Sequence, residues 1–396
     1  MIDHYDVIVV GAGVTGSVAA LMFANRELQT AILDINLPVE PSTEHSIRVA
    51  SINPASESIL KKLDIWPTIE KYRVSPFNRI DVWEDNANQK LSFLAESIGA
   101  TRLGHIVEND ILSFAAWSKF ESSPNATTLQ PDMISSIAAC AQGKRITMKS
   151  GKAYSCRLLV GADGQNSTIR ELSNINVERF DYRQMAIVSQ VRTDKLPGTI
   201  ARQKFLPEGP LAFLPLGNNQ SSIVWSVGLD KCETVLAMTD SEFCRYLADS
   251  FDNQLGDVLE CGKRVCFPLV RRHANRYIGD SSALIGDACH TVHPLAGLGA
   301  NQGIGDALAL IAKTFPTNEN IFRPTYRNLR KYERERRALN QKTLSTMDLF
   351  YFGFGSSNQI LKSLRTSSLA IVNRSNFLKS FFIENATQLN ASLEHD

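Results

Sequence analysis

The residues best suited to chemistry lie together between residues 285 and 307, in the stretch IGDACHTVHPLAGLGANQGIGDA. These 23 residues include two histidines, one cysteine, two aspartates and five glycines. Histidine, cysteine and aspartate can bind a metal, and a cysteine beside a histidine can act as a nucleophile. Glycines instead let a backbone approach a bound group closely. Three kinds of site are therefore open: a metal site, a nucleophilic site and a backbone cradle for a cofactor.

The spacing of the candidate ligands disfavours the first two. His290 and His293 are three positions apart, and apart from Cys289 no thiolate or carboxylate stands at a standard zinc spacing. We therefore predict no metal and no Cys289 nucleophile.

A second glycine-rich stretch, GAGVTG, follows directly after the β-branched run YDVIVV at the N-terminus. Gly11, Gly13 and Gly16 fit the pattern G-x-G-x-x-G, whose glycines allow a tight turn, the approach of a pyrophosphate and close helix packing, respectively. The next strand, TAILD, ends at Asp34, 18 residues after Gly16, where a carboxylate can bind the ribose of an adenosine. The pattern predicts dinucleotide binding, and a glycine-rich turn without a ligand is the alternative.

Two more apolar strands end in polar, glycine-containing loops. The stretch CRLLVGADGQNSTIR leads to Asp163 and Gly164, and SALIG leads to Asp287. Ligands of an open α/β sheet bind beyond the carboxyl ends of its strands. Three such ends therefore predict one shared crevice. The predicted fold class is α/β for the part that carries these strands and α+β for the chain as a whole.

Composition excludes several function classes. Lys and Arg number 42 and Asp and Glu 41, a net charge of +1, so no general field attracts nucleic acid. The start MIDHYDVIVV is acidic where a signal peptide is basic, and no apolar run approaches the roughly 20 residues that span a bilayer. The seven cysteines include no C-x-x-C pair and are interpreted as reduced thiols. We predict a cytoplasmic protein, with peripheral contact at the inner membrane surface left open.

In order and spacing, the three glycine-rich stretches resemble the FAD fingerprints of the flavin-dependent aromatic hydroxylases with the para-hydroxybenzoate-hydroxylase fold. Within that family, RVASINPASESILKKLDIW, LGHIVEND, FLPEGPLAFLPL and HPLAG are most similar to the hydroxylases of ubiquinone biosynthesis. The resemblance implies a Rossmann-like FAD-binding domain, an inserted antiparallel-sheet substrate domain and C-terminal helices. The implied FAD-binding parts are residues 1–75, 101–180 and 266–340, the substrate-domain parts are 76–100 and 181–265, and the C-terminal helices are 341–396.

The resemblance also implies the cofactor contacts. Asp287 is expected to bind the ribityl chain of FAD, and the backbone from Pro294 onward is expected to lie along the flavin edge. The implied FAD-binding residues are Gly11, Gly13, Gly16, Asp34, Arg48, Asn109, Asp163, Gly164, Gly286, Asp287, Pro294, Gly297, Gly299, Ala300 and Asn301. The implied flavin-edge segment consists of Pro294, Gly297, Leu298 and Gly299, and no side chain is identified as catalytic.

Some of these positions leave alternatives open. Arg48 could be a solvated surface arginine, and Asp306 could be a charge on a helix surface. Leu298 stands where the family commonly has glutamine. Because the contacts in this segment come largely from the backbone, FAD binding is expected to persist while the reactivity of the flavin changes.

The region from residue 185 to 229 reads as short strands separated by turns, which predicts an antiparallel sheet. By analogy with the family, Phe213, Pro215 and Trp225 are candidates to line a ring pocket, and core packing is the alternative for each. The segment after residue 341 mixes apolar and basic residues. It is expected either to pack on the body of the protein or to contact a membrane or a partner.

The implied activity is hydroxylation of the aromatic ring of a polyprenylated phenol or quinol intermediate of ubiquinone biosynthesis, through a flavin C4a-hydroperoxide formed from O2. No second G-x-G-x-x-G follows a strand, so this chain has no separate Rossmann domain for NAD(P)H. The electrons are expected either from NAD(P)H bound without such a domain or from a protein donor. A ubiquinone-biosynthesis protein complex is a further implied partner. The alternatives are a hydroxylase of a small soluble aromatic, a flavin reductase of isoprenoid double bonds, and an FAD-containing structural subunit of a biosynthetic complex.

Overall fold

Three sheets and nine α-helices form the part of the chain that a computed structural model describes, residues 2–84, 90–291, 297, 299–315 and 321–355. The helices are α1 (Val14–Ala24), α2 (Pro54–Lys62), α3 (Trp66–Tyr72), α4 (Asn109–Glu121), α5 (Thr168–Leu172), α6 (Leu229–Ala237), α7 (Asp240–Ser250), α8 (Gly299–Thr314) and α9 (Tyr326–Gly355). Short 3₁₀ turns cover Ala95–Ile98 and Gly286–Ala288. None of the helices in these described ranges combines the length and the apolar character needed to cross a membrane.

The strands are β1 (Asp3–Val10), β2 (Thr30–Leu33), β3 (Val49–Ile52), β4 (Ser75–Phe77), β5 (Arg79–Glu84), β6 (Leu91–Leu94), β7 (Gly104–Glu108), β8 (Ala126–Thr128), β9 (Ile134–Cys140), β10 (Gly143–Met148), β11 (Ala153–Gly161), β12 (Val177–Thr193), β13 (Ile200–Leu206), β14 (Gly209–Gly217), β15 (Gln220–Gly228), β16 (Val258–Cys261), β17 (Val265–Ala274), β18 (Ile278–Gly279), β19 (Ser282–Leu284) and β20 (His290–Thr291).

An eight-stranded sheet contains the Rossmann-like part. Strands β19, β11, β1, β2 and β8 lie side by side in this order and run parallel. The last four residues of β1 are all buried, as expected for a parallel strand covered on both faces. Helix α1 packs against α4 and α8. Because β19, β11 and β1 are parallel neighbours, their carboxyl ends meet at one edge, which confirms the expected α/β architecture.

A nine-stranded, mostly antiparallel sheet forms the second layer, with the order β20-β17-β12-β15-β14-β13-β5-β6 and β16 beside β12. Helices α6 and α7 cover one of its faces with a separate apolar core. Strand β17 pairs with β12 as far as Ala274, so the expected domain limit at residue 266 falls within this ladder. The limit at residue 341 likewise falls within α9. A small sheet, β3-β7-β4, completes the described fold.

Candidate functional site

The first two glycine-rich loops touch each other through their backbones. Gly11 has a φ of +107°, and a Cβ built on it would lie 2.3 Å from the carbonyl oxygen of Ala162, at the end of β11. A Cβ on Gly16 would lie 1.9 Å from the carbonyl oxygen of Gly11. Both glycines are therefore required by the packing of the protein itself, because any side chain would separate β1, α1 and the loop after β11.

Gly13 differs from its two neighbours in the pattern. It has an extended backbone, with a φ of −67° and a ψ of −179°, and precedes the first residue of α1. A Cβ built on it would meet nothing within 4 Å. The space beside Gly13 thus lies open at the N-terminus of a helix, where free N–H groups and the helix dipole favour an anion. This is the property that a pyrophosphate cradle requires.

The third glycine-rich stretch packs on the same helix start. Cβ atoms built on Gly286 and Gly303 would approach the hydroxyl oxygen of Thr15 to 2.9 and 2.0 Å. Thr15 lies in the first turn of α1. All three glycine-rich stretches therefore surround one crevice.

The carboxylate at the end of β2 faces this crevice. Asp34 accepts hydrogen bonds from the backbone N–H of Ala12, at 2.6 Å, and of Asn36, at 3.0 Å. These bonds fix the carboxylate beside the glycine loop and leave lone pairs on both oxygens. Its place fits a carboxylate that receives ribose hydroxyls.

Asp163 orders the loop in which it lies. It accepts hydrogen bonds from the hydroxyl of Ser167, at 2.5 Å, and from the backbone N–H of Ile169, at 3.0 Å. Burial raises its pKa, and these bonds partly oppose that rise. Gly164 follows with a φ of +79° and open space around its missing side chain. Asp163 thus fixes the shape of the turn, and the missing side chain of Gly164 leaves space for a ligand to approach the backbone of the turn.

Asp287 lies in the 3₁₀ turn after β19, with its side chain facing the open crevice. The surrounding protein withdraws water from the carboxylate and raises its pKa, although the positive charges of His290, Arg48 and Arg272 act in the opposite direction. The guanidinium of Arg48 lies 5.5 Å from the centre of the Phe267 ring. Arg48 therefore stands at the rim where the crevice meets the nine-stranded sheet.

Asn109 and Asn301, both predicted to contact FAD, differ in their hydrogen bonding. The side-chain oxygen of Asn109 is buried and has no hydrogen-bond partner among the described residues. Asn301 binds protein on both sides of its amide, because it donates to the carbonyl of Ser51 at 2.6 Å and accepts from the N–H of Asn53 at 3.1 Å. Asn109 thus offers an unused acceptor, whereas Asn301 fastens α8 to the end of β3.

The segment expected at the flavin edge is described only in part. Gly297 has a φ of +60°, and a Cβ on it would lie 3.1 Å from the Cβ of Ser51. Gly299 and Ala300 begin α8, and the space beside Gly299 is open. The predictions for Pro294 and Leu298 fall outside the described residues.

Asp306 is not a surface charge. It is completely buried and accepts hydrogen bonds from the backbone N–H of Gly286 at 3.0 Å and from Nε2 of His290 at 2.6 Å. Nε of Arg336 donates to it at 2.7 Å and Nδ2 of Asn340 at 3.2 Å. Burial alone would raise its pKa, but the positive charges of His290 and Arg336 outweigh this and lower it well below the usual range.

The residues around Asp306 include a group whose side chains could in principle bind a metal ion. Cys289, His290 and Asp306 have their ligand atoms within 4.8 Å of one another. Both oxygens of Asp306 already face N–H donors, one of them an arginine that remains charged. This donor set stabilises a buried carboxylate and holds the turn that carries Asp287.

A second buried carboxylate holds the loop before Arg48. Glu108 accepts hydrogen bonds from the N–H of Ser46 at 2.6 Å, from His45 at 2.8 Å and from Nε of Arg73 at 2.7 Å. Burial would raise the pKa of Glu108, but the bonds from His45, Arg73 and Ser46 lower it to about 2. Gln190, in β12, donates to the carbonyl of Ser46 at 2.7 Å. This loop is therefore attached to the small sheet through Glu108, in β7, and to the nine-stranded sheet through Gln190.

The candidates for a ring pocket lie in the core. Phe213 and Trp225 are 2% and 1% exposed and belong to the apolar cluster beneath α6 and α7. Phe213 stacks on Phe251, with ring centres 4.1 Å apart. Pro215 is buried and follows Phe213 by two positions along β14. This burial favours the core-packing alternative, because the rings face the helices and not the crevice.

The residues needed to hold FAD are thus present and fit it. The open glycine cradle, the helix N-terminus, the Asp34 carboxylate and the Asp287 turn lie close together, and the buried Asn109 oxygen adds an unused acceptor. Sequence reasoning left Asp306 undecided, and it did not identify Arg336, Asn340 or Glu108. These residues give no local signal, because each acts through partners distant in sequence.

Comparison with known proteins agrees with this geometry. Residues 4–346 match the family described as "FAD binding domain". The chain is 32% identical to 3-demethoxyubiquinol 3-hydroxylase of Escherichia coli over 379 residues, covering 94% of this chain and 96% of the relative. It is 30% identical to ubiquinone hydroxylase UbiL of Rhodospirillum rubrum, with 96% and 89% covered. The crystal structure of p-nitrophenol 4-monooxygenase PnpA from Pseudomonas putida has the same fold, with a TM-score of 0.80 at 16% identity and coverage of 98% of this chain and 99% of that one.

The match to the family covers most of the chain. The alignments with the two hydroxylases extend over nearly the whole length of each relative. The chain therefore belongs to the family of FAD-binding flavoprotein monooxygenases, and its similarity is to the hydroxylases of ubiquinone biosynthesis.

Proposed function

We propose that this protein hydroxylates the aromatic ring of a polyprenylated phenol or quinol intermediate of ubiquinone biosynthesis, using O2 and electrons from NAD(P)H or a protein donor. The observation that carries this proposal is the similarity over nearly the whole chain to 3-demethoxyubiquinol 3-hydroxylase, joined to a crevice whose residues fit FAD. Bound FAD supplies the redox and oxygen chemistry of the reaction. The protein supplies binding, orientation and the exclusion of water.

Each part of the crevice has a proposed share in holding the cofactor. The N–H groups beside Gly13 would bind the pyrophosphate, and Asp34 would receive the ribose hydroxyls. Asp287 would bind the ribityl chain, and the Asn109 oxygen would accept a hydrogen bond from the cofactor. The start of α8 at Gly299 would stabilise negative charge on the reduced ring system, because a helix N-terminus favours anions.

The substrate ring is assigned to the face of the nine-stranded sheet opposite α6 and α7. Val224 lies between Ile223 and Trp225, which point into the helix-covered core, so it points to the other face. Ala186 and Phe267 are paired across β12 and β17 on this same face. Phe267 also stands beside Arg48 at the crevice rim. Small and aromatic side chains on this face suit a flat, apolar ring.

The test supplies the FAD-loaded protein with NAD(P)H, ¹⁸O2 and a short-tailed demethoxyubiquinol, and follows the product by mass spectrometry. One ¹⁸O atom is expected in the ring. Ring oxygen taken from water, or reduction of a tail double bond without oxygen, would contradict the proposal.

Two variants of adjacent strand positions test the assigned face. Val224→Phe adds bulk on the crevice side and is expected to raise the KM for the quinol by about tenfold, an effect of about 1.4 kcal/mol. The control, Ile223→Val, removes one methyl group on the helix side and should cost only about 1 kcal/mol of stability. Equal effects of both variants on KM would show that the ring binds elsewhere.

A further inference from the structure

One side of α9 carries residues that contact Asp306, in α8, at one end and the nine-stranded sheet at the other. Arg336, Asn340, Leu344 and Asp348 follow one another at intervals of four, a spacing that places them along one side of a helix. Arg336 and Asn340 are buried against Asp306, and Leu344 is 1% exposed. The stripe continues to Asp348, so α9 presents one continuous inner surface.

The first end of this stripe is fastened to the turn that carries Asp287. Arg336 and Asn340 bind Oδ1 of Asp306, and Oδ2 of Asp306 binds the backbone N–H of Gly286, the residue before Asp287. Asn340 also donates to the hydroxyl of Tyr277 at 3.3 Å. A displacement of this end of α9 would therefore disturb the Asp287 turn directly.

The other end is fastened to the nine-stranded sheet. Asp348 accepts a hydrogen bond from the hydroxyl of Tyr182, in β12, at 2.6 Å. It also forms an ion pair with Arg271, in β17. Tyr182 packs in a cluster with Ala186 and Leu269 on the face assigned to the substrate ring. Both partners of the ion pair are at most a quarter exposed, so solvent screens the pair only in part.

The helix between these two ends has a fixed length. Twelve residues separate Arg336 from Asp348, which corresponds to about 18 Å along the helix axis. We propose that α9 is a brace that sets the position of the substrate sheet relative to the Asp287 turn, with Asp348 as a positioning residue. The proposal rests on the function proposed above, because it assigns the substrate to that face of the sheet.

The variant Asp348→Ala tests the brace without weakening the helix, since alanine has the higher helix propensity. The matched control is Glu335→Ala, which removes one negative charge from the same helix at an ion pair with Lys313 whose side chains are about one-third exposed. Three quantities are measured for each FAD-loaded variant. They are FAD affinity, hydrogen exchange in β12 and β17, and the change in oxidised-flavin absorbance during titration with a short-tailed quinone.

For Asp348→Ala we expect unchanged FAD affinity, faster exchange in β12 and β17, and quinone binding weaker by about tenfold, as for one lost charged hydrogen bond. Glu335→Ala should match the wild type in all three. Loss of FAD, or unchanged exchange and quinone binding, would overturn the brace. If Asp348→Ala does not accumulate as folded protein, Asp348→Asn removes only the charge paired with Arg271 and should shift the same quantities in the same direction by a smaller amount. If quinone leaves the wild-type spectrum unchanged, the proposed function fails, while the exchange measurement still decides on the brace.

Discussion

At the scale of single residues, the three glycines of the first loop serve two different purposes. Gly11 and Gly16 are required by contacts within the protein, whereas the space beside Gly13 is open. Gly13→Ala is therefore expected to fold with unchanged stability and to weaken FAD binding by at least about tenfold, or about 1.4 kcal/mol. Gly16→Ala should instead destabilise the protein without FAD by about 3 kcal/mol, the upper range for overpacking.

The two variants are compared by urea unfolding of the protein without FAD and by titration of each with FAD. Each variant serves as the control for the other, since both add one methyl group to the same loop. If Gly13→Ala unfolds as easily as Gly16→Ala, the space beside Gly13 is not open, and if Gly13→Ala binds FAD as tightly as the wild type, that space is not a ligand site.

The sequence was a reliable guide to these glycines because their pattern is local. The strand, turn and helix that give G-x-G-x-x-G its meaning all lie between Asp3 and Ala24. Asp306 could not be assigned in this way. Its partners are His290, 16 residues before it, and Asn340, 34 residues after it, and only the fold brings them together.

At the scale of elements, the sequence predicted the strands of the second sheet but not which face was covered. Alternation along β14 and β15 separates two sets of side chains without saying which set meets a helix. Helices α6 and α7 cover the face of Phe213 and Trp225, and this contact joins segments that the sequence analysis did not connect. The large aromatic side chains were natural candidates for a ring pocket, yet they fill the core because that side is closed.

The packing of α9 on β17 predicts a pH dependence of stability. His273, in β17, is buried and lies 2.8 Å from the hydroxyl of Tyr277. Burial and the positive charges of His290 and Arg337 lower its pKa to about 4, while Gln341 acts in the opposite direction. The unfolded chain, with a histidine pKa of about 6.5, therefore takes up the proton more readily. Stability is complete above about pH 6.5 and declines as the pH falls towards 4.

Between pH 7.5 and 5, this group should remove roughly 2 kcal/mol from the free energy of unfolding. The measurement is urea unfolding at both pH values for the wild type, His273→Gln and His4→Gln. His4 lies at the exposed start of β1 and serves as the control. His273→Gln should lose less stability on acidification than the other two proteins. An identical loss in all three would show that His273 does not cause the dependence.

At the scale of the whole molecule, the candidate site is assembled from distant parts of the chain. The glycine loop lies near residue 11, Asn109 begins α4, Asp163 follows β11 and Asp287 follows β19. The sequence predicted this convergence because parallel strand ends share an edge. It did not predict that α9 would link the two large sheets, since that link depends on Asp348 meeting Tyr182, 166 residues away.

The direct neighbour of β1 on one side is β11, and the two strands pair from Asp3 with Tyr154 to Val10 with Gly161. The loop that must close before this pairing forms is therefore long, and such contacts tend to form late in folding. Interactions absent from the transition state slow unfolding and leave the folding rate unchanged. Stopped-flow measurements should show equal refolding rates with and without FAD, and slower unfolding with FAD. Faster refolding in the presence of FAD would show that the FAD-binding loops are already assembled in the folding transition state. Equal refolding rates with slower unfolding would show that the cofactor slows the loss of the native fold and does not guide its formation.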